Sequence, residues 1–163
     1  VDLIVEAFNQ MPSKKIKIVG AGPELEKLRK KAKSNIELLG FQPDEIVREL
    51  YASAKGFIFA AEEDFGIIVV EAMACGTPVI ALNKGGAAES VINSKTGILF
   101  PEQTIESVIE AVKNFDPISG SIDYSGIRKH AEKFSRKTFE ENIKNFVDNK
   151  YKLHLQSKAK NKK

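Results

Sequence analysis

The chain has 163 residues, 42% of them hydrophobic, and a formal net charge of +3, which suits one domain with its own core. Six lysines and no acid lie between Lys150 and Lys163, so the rest of the chain is net negative. The basic balance therefore gives no argument for a nucleic-acid-binding body, and no nucleic-acid partner is expected. The single cysteine, Cys75, rules out an internal disulfide, and no apolar run approaches the roughly 20 residues of a membrane span.

The first ten residues, from Val1-Asp2-Leu3, read as an amphipathic helix stopped near Met11-Pro12. Nothing caps it, no signal-peptide pattern precedes it, and the start looks like a piece of something longer. Lys15-Ile16-Lys17-Ile18-Val19 alternates like a strand. The turn Gly20-Ala21-Gly22-Pro23 leads into a charged helix from Glu24 to Lys33. Ile36 to Leu39 is a short strand ending at Gly40, and Asp44 is expected to cap a helix reaching about Ala54. Gly56 to Ala60 is an apolar strand, and an apolar helix runs from Phe65 or Gly66 to Ala74, stopped by Gly76 and Pro78. Val79 to Leu82 is another strand. Gly85-Gly86 is expected to break the chain before a helix from Ala87 to Ile92. A strand at Thr96–Phe100 and a helix at Thr104–Asn114 follow, the latter capped by Pro101-Glu102 or by Thr104. Asp116 to Gly126 reads as a polar loop. Helices are expected near Ile127–Phe134 and Thr138–Tyr151, the second packing through Phe139, Ile143, Phe146 and Val147. The domain is expected over residues 1–154, and 155–163 has the composition of a disordered basic tail.

Strands that alternate with helices, each strand a short apolar run, call for an α/β fold: a Rossmann-like parallel sheet with helices on both faces. Ligands in such folds bind at the C-terminal ends of the strands. Three glycine-bearing loops lie there: Gly20–Pro23, Ala61–Gly66 and Asn83–Ala87.

The second of these loops is the most informative. Glu62, Glu63 and Asp64 precede Phe65-Gly66-Ile67, whose backbone amides would be unpaired at a helix start and approachable across the bare Gly66. Such a turn suits a diphosphate or sugar hydroxyls, though the acids also serve simply to favour the helix dipole. Glu71 lies within the apolar helix with Ile67, Ile68, Val70, Ala74 and Cys75 around it and no cation one turn away. A carboxylate among such neighbours is costly unless satisfied, and two acceptor oxygens match a diol such as ribose. Cys75 reads as a small buried hydrophobe, and the separated His130 and His154 as surface residues. No cluster has metal-ligand spacing, so neither metal nor cofactor is expected. A dinucleotide fingerprint would need a third glycine at Leu25, and there is no P-loop Gly-Lys-Ser/Thr.

The segment Glu63-Asp64-Phe65-Gly66, four residues, then Glu71-Ala72-Met73-Ala74-Cys75-Gly76-Thr77-Pro78-Val79-Ile80 closely resembles the signature of retaining GT-B glycosyltransferases of family 4, the glycosyl transferases group 1 type. Ile18 to Pro23, Leu39-Gly40-Phe41 and Gly85-Gly86-Ala87-Ala88-Glu89 agree in order, and the likeness covers about residues 1–150. It implies that this chain is the C-terminal, donor-binding half of the GT-B fold. Glu71 would hold the ribose hydroxyls of a nucleotide-sugar, and Glu63 the hydroxyls of its sugar, the two being the catalytic-site acids. The amides of Phe65, Gly66 and Ile67 would meet sugar and phosphate. Gly20 and Gly22 would border the nucleotide, with Phe41 and Gln42 beside the base. Gly85-Gly86 would turn near the donor, supported by Glu89.

The implied activity is retaining hexosyl transfer from a GDP-mannose or UDP-hexose donor, as in mannosyltransferases of polysaccharide biosynthesis. The acceptor would be a saccharide or a lipid-linked one. An N-terminal acceptor domain of the same enzyme and the family's phosphate-neutralising Arg and Lys would lie ahead of Val1, so this chain alone is expected to be inactive. The alternative is a nucleotide-sugar-binding module without catalysis. A cytoplasmic location is expected, peripheral at the inner membrane face if the lysine-rich tail meets anionic lipid.

Overall fold

The computed structural model describes residues 1–160. The elements run α1 (Asp2–Asn9), β1 (Ile16–Val19), α2 (Leu25–Lys31), β2 (Ile36–Gly40), α3 (Asp44–Ser53), β3 (Phe57–Phe59), α4 (Ile67–Ala74), β4 (Val79–Leu82), α5 (Gly85–Ser90), β5 (Gly97–Phe100), α6 (Ile105–Ser119), α7 (Tyr124–Ala131), a 3-10 turn (Glu132–Phe134) and α8 (Arg136–Lys160). This is the expected α/β fold. Each strand is followed by a helix that carries the chain back, so every strand pair is parallel. Ile16 lies opposite Ile36, Phe57 opposite Val79, and Val79 opposite Gly97.

The strands form two hydrogen-bonded groups, β1-β2 and β3-β4-β5. β4 is buried along its whole length. Its Ile80 and Leu82 face a core shared with Val5, Phe8, Phe100, Val108 and Phe115. Val79 and Ala81 face a second core with Val69, Met73, Ala87 and Ile127. A strand covered on both sides must be apolar at every position, which is how Val79-Ile80-Ala81-Leu82 reads. Beneath β1 and β2, the buried Asn35 gathers the end of α1: its amide nitrogen donates to the carbonyls of Phe8, Met11 and Lys14 at 2.9, 3.2 and 2.9 Å.

Several local expectations are corrected. Asp44 is the first helical residue of α3, after Pro43, and makes no side-chain capping bond; its charge still favours the helix start. Gly85 and Gly86 form the first turn of α5 instead of a break ahead of it. The expected loop at Asp116–Gly126 is largely helical. α6 continues through Pro117 to Ser119 because Phe115 is anchored in the core, although the proline lacks the amide that would bond one turn back. α7 starts at Tyr124 because Asp123 accepts from the Gly126 amide at 3.0 Å and from the Ser125 hydroxyl at 2.7 Å. Those two bonds, the hydroxyl's first, hold the Asp123 carboxyl below the usual carboxylate range. At α6, Thr104 is the cap, accepting from the Ser107 amide.

The C-terminal end also differs. Helix α8 continues to Lys160 where disorder was expected from Leu155, and residues 161–163 of that expected tail lie outside the described residues. Phe139, Ile143, Phe146 and Val147, the face expected to pack on a domain and to be exposed in part, are all exposed on α8 among the described residues.

Candidate functional site

The loops predicted to carry the site all leave the C-terminal ends of parallel strands. Two of them are locked together. The amide of Gly86 donates to the carbonyl of Glu63 at 2.8 Å, so the start of α5 supports the β3–α4 loop directly. Gly85 has φ +58°, and a Cβ there would overlap the Glu63 carbonyl; at Gly86 one would overlap the carbonyl of Phe65. Only bare backbone can approach this closely. Gly66 enters α4 in the left-handed region, φ 71° and ψ 55°, which bends the loop over the helix end. Lys84 adds an exposed ion pair to Glu62 at 3.9 Å.

The consequence is a raised rim. Glu63, Asp64, Phe65 and Ile67 are exposed while Gly66 and Gly86 beneath them are buried. The amides of Phe65, Gly66 and Ile67 have no protein acceptor among the described residues, as befits the first turn of a helix. The structure therefore places Glu63, Phe65, Gly66, Ile67, Gly85 and Gly86 in one cluster.

The other half-site forms on β1-β2. The Gly20 amide donates to the Gly40 carbonyl at 2.8 Å, which sets the first glycine loop beside Phe41. Phe41 is 78% exposed, a free aromatic face. Gln42 turns back to donate to the Leu39 carbonyl at 2.9 Å, and Gly22 stands in open space.

Glu71 occupies neither cluster. It is exposed and opens into a groove of about 290 Å³ between α3 and α4, lined with Asp44, Val47, Arg48, Tyr51, Ala74 and Cys75. The expectation of a costly carboxylate among apolar neighbours is corrected: α4 leaves Glu71 exposed, as it does Ile67, Ile68 and Ala74, and buries Val69, Ala72 and Met73. The nearby Arg48 faces Glu45 at 3.8 Å. The influence of Glu71 is felt at Tyr51, whose phenol is pushed up to about 12, first by burial and then by the negative charge of Glu71.

Sequence reasoning missed what braces the rim. Phe134 meets Phe65 edge-on with ring centroids 6.1 Å apart, and His130 meets Phe134 at 5.9 Å. His130 Nε2 lies 2.8 Å from the Ser90 carbonyl, while Ser90 Oγ donates to the Gly86 carbonyl at 2.9 Å. His130 is thus a half-buried strut under α5, correcting its reading as a surface residue. Its separation in sequence from the loops it braces left no local signal. Glu89, expected to support the Gly85-Gly86 turn, is exposed and its side chain makes no hydrogen bond among the described residues; backbone contact supports that turn instead. Cys75 is half-buried at the end of α4, not in a core.

A parallel α/β sheet with glycine loops and helix-start amides at the C-terminal ends of its strands is the architecture of one half of a GT-B fold. Residues 1–117 match the model of the glycosyl transferases group 1 family, and the chain belongs to that family. It is 36% identical over 95 residues to a D-inositol 3-phosphate glycosyltransferase of Rhodococcus jostii, covering 57% of this chain and 21% of that protein. It is 30% identical over 128 residues to a GDP-mannose-dependent alpha-(1-6)-phosphatidylinositol monomannoside mannosyltransferase of Mycolicibacterium smegmatis, covering 68% of this chain and 34% of that one. Among solved structures, Anabaena HepE in complex with UDP-glucose superposes with a TM-score of 0.74 at 24% identity, over 91% of this chain and 44% of that chain. The chain thus spans less than half the length of each.

Two outcomes follow from this geometry. Gly86→Ala forces backbone apart beneath the rim and should cost about 3 kcal/mol of stability, read as a lowered midpoint in denaturant. A midpoint equal to the parent's would show that the two loops are not locked. The second concerns Tyr51. A phenol whose folded value is raised to about 12 contributes stability fully present below its ordinary value of about 10 and lost as pH climbs from there through about 12. In an ultraviolet titration, Glu71→Gln should move the Tyr51 phenolate midpoint downward, with Tyr51→Phe identifying the signal. An unmoved midpoint would place Glu71 away from the ring.

Proposed function

We propose that this chain is the donor-binding half of a retaining hexosyltransferase. It takes GDP-mannose or a UDP-hexose and delivers the sugar to a saccharide or lipid-linked acceptor. The observation that carries the reading is the rim held by Gly85-Gly86, with the Glu63 carboxylate and the amides of Phe65, Gly66 and Ile67 free at the sheet edge. Amides at a helix start stabilise the negative charge that develops on a departing diphosphate, and they are already aligned when it forms. Glu63 takes the hydroxyls of the sugar. Glu71, in its groove between α3 and α4, accepts the two ribose hydroxyls. Gly20 and Gly22 border the nucleotide, and the exposed ring of Phe41, with Gln42 behind it, lies beside the base.

The relatives support the substrate class. One is named as GDP-mannose-dependent, and one structural neighbour holds UDP-glucose. The sugar-nucleotide is a substrate, and the proposal assigns no metal and no other cofactor. Because the chain spans 21% to 44% of these proteins, an N-terminal acceptor domain is proposed to form the other wall of the cleft. The 163 residues alone would then act as a binding module that transfers essentially nothing.

In the full-length enzyme, Glu71→Ala leaves ribose hydroxyls unpaired and should weaken nucleotide binding by about 1–3 kcal/mol, measured by titration with GDP and UDP. Glu63→Ala should lower kcat far more than it weakens nucleotide binding. Nucleotide affinity unchanged by Glu71→Ala would remove the ribose assignment, and full turnover by Glu63→Ala would remove the sugar assignment.

Peripheral membrane contact on the cytoplasmic face is proposed through the lysines that follow Tyr151. Each basic residue near an anionic surface contributes about 1 kcal/mol. Deleting residues 155–163 should reduce co-sedimentation with phosphatidylserine vesicles. Unchanged co-sedimentation would dismiss the contact.

A further inference from the structure

The segment from Tyr124 to Phe134 reaches the ends of both helices beside the rim. Arg128 Nη2 donates to the Cys75 carbonyl at the end of α4, at 3.1 Å. His130 Nε2 donates to the Ser90 carbonyl at the end of α5, at 2.8 Å. Phe134 meets Phe65, just ahead of α4, edge-on at 6.1 Å. We propose that this segment is a brace and that its last residue, Phe134, is a positioning residue for hexose transfer. It holds Phe65, and through Phe65 the helix-start amides and the Glu63 carboxylate. The inference rests on the donor reading given above.

The rim needs such a hold. Its loop is fixed at Ala60, whose carbonyl accepts from Gln103 Nε2 at 2.7 Å, and at Glu63, whose carbonyl accepts from the Gly86 amide at 2.8 Å. Beyond Glu63 the amides of Phe65, Gly66 and Ile67 have no protein acceptor among the described residues. The exposed pair of Lys84 with Glu62 adds little there. Gly66 supplies no direction of its own, since glycine visits its φ of 71° about as readily as the opposite sign. The heading of the helix-start amides therefore depends on what holds Phe65. That ring is half-exposed, and the ring it meets is that of Phe134.

The brace is itself anchored. Asp123 caps α7, and Ile127 and Ala131 are buried. His130, one turn before Phe134, lies against it with ring centroids 5.9 Å apart. Ser90, which accepts from His130, donates through Oγ to the Gly86 carbonyl at 2.9 Å. The contacts close a circuit: Gly86 leads to the rim through Glu63, and returns to it through Ser90, His130, Phe134 and Phe65. Each member is fixed by the next, so the rim is held from α5 and from the side.

The consequence for transfer is selective. Donors that stabilise a developing charge must be aligned before the charge forms, and a displacement of about 1 Å can cost about a hundredfold in rate. The base and ribose are read elsewhere, by Phe41 at the end of β2 and by Glu71 in the groove between α3 and α4. Releasing Phe65 therefore acts on the sugar and the departing diphosphate and spares the nucleoside end.

The test is made in the full-length polypeptide. Phe134→Ala should lower kcat for hexose transfer about tenfold or more, with affinity for GMP and UMP kept within about twofold. Phe134→Tyr keeps the ring and should return kcat to within about threefold of the parent. Val108→Ala, a large-to-small change in the first core, should lower the denaturant midpoint and leave kcat unchanged. A second readout needs no activity: the backbone order parameters of Glu63 to Ile67 should fall from about 0.85 to below about 0.6 in Phe134→Ala and hold in Val108→Ala. Order parameters unmoved by Phe134→Ala overturn the brace. A loosened rim with full kcat overturns its role in transfer, and so does an equal loss of kcat in Val108→Ala. A parent that transfers no hexose overturns the donor reading, and the order parameters then still decide whether Phe134 holds the rim.

Discussion

The site depends on one contact between two stretches of bare backbone. Gly85 and Gly86 lie directly beneath Glu63 and Phe65, closer than any side chain permits, and a single 2.8 Å hydrogen bond fixes the register. From this contact follow the left-handed entry at Gly66, the free amides at the start of α4 and the exposure of Glu63. A helix end left open to solvent is ordinarily a weak feature. Here backbone contact braces it, so under the proposed reading its dipoles would already be aligned for a charged ligand.

The architecture was legible in the sequence because its signals are local. Short apolar runs separated by amphipathic helices give parallel strands, and Val79-Ile80-Ala81-Leu82 could be placed inside on composition alone. The rim loop was equally legible, since acids, a glycine and a helix start stand side by side. The features that escaped are those set by distance. Nothing near His130 announces that it reaches Ser90, forty residues earlier. Nothing around Glu71 says that the groove beside α3 lets this one carboxylate stay hydrated. At Pro117, local propensity lost to tertiary anchoring: Phe115 is held in the core, and the helix carries on past it.

The site is also divided between two supports. The loops at Gly20 and Phe41 belong to β1-β2, the rim at Glu63 to Gly66 belongs to β3-β4-β5, and Glu71 stands between α3 and α4. The donor proposed above, a base, ribose, diphosphate and hexose joined in line, would have to bridge both groups of strands, so their relative placement would be part of its recognition.

The packing of Phe134 on Phe65, with His130 behind it, ties the rim to the 3-10 turn and to α7 as well as to α5. α7 holds Ile127 and Ala131 in the second core and packs along α4. A change at either residue would reach the rim through Phe134 without touching Gly85 or Gly86, so the proposed donor site would feel the packing of a helix that contributes no residue to it.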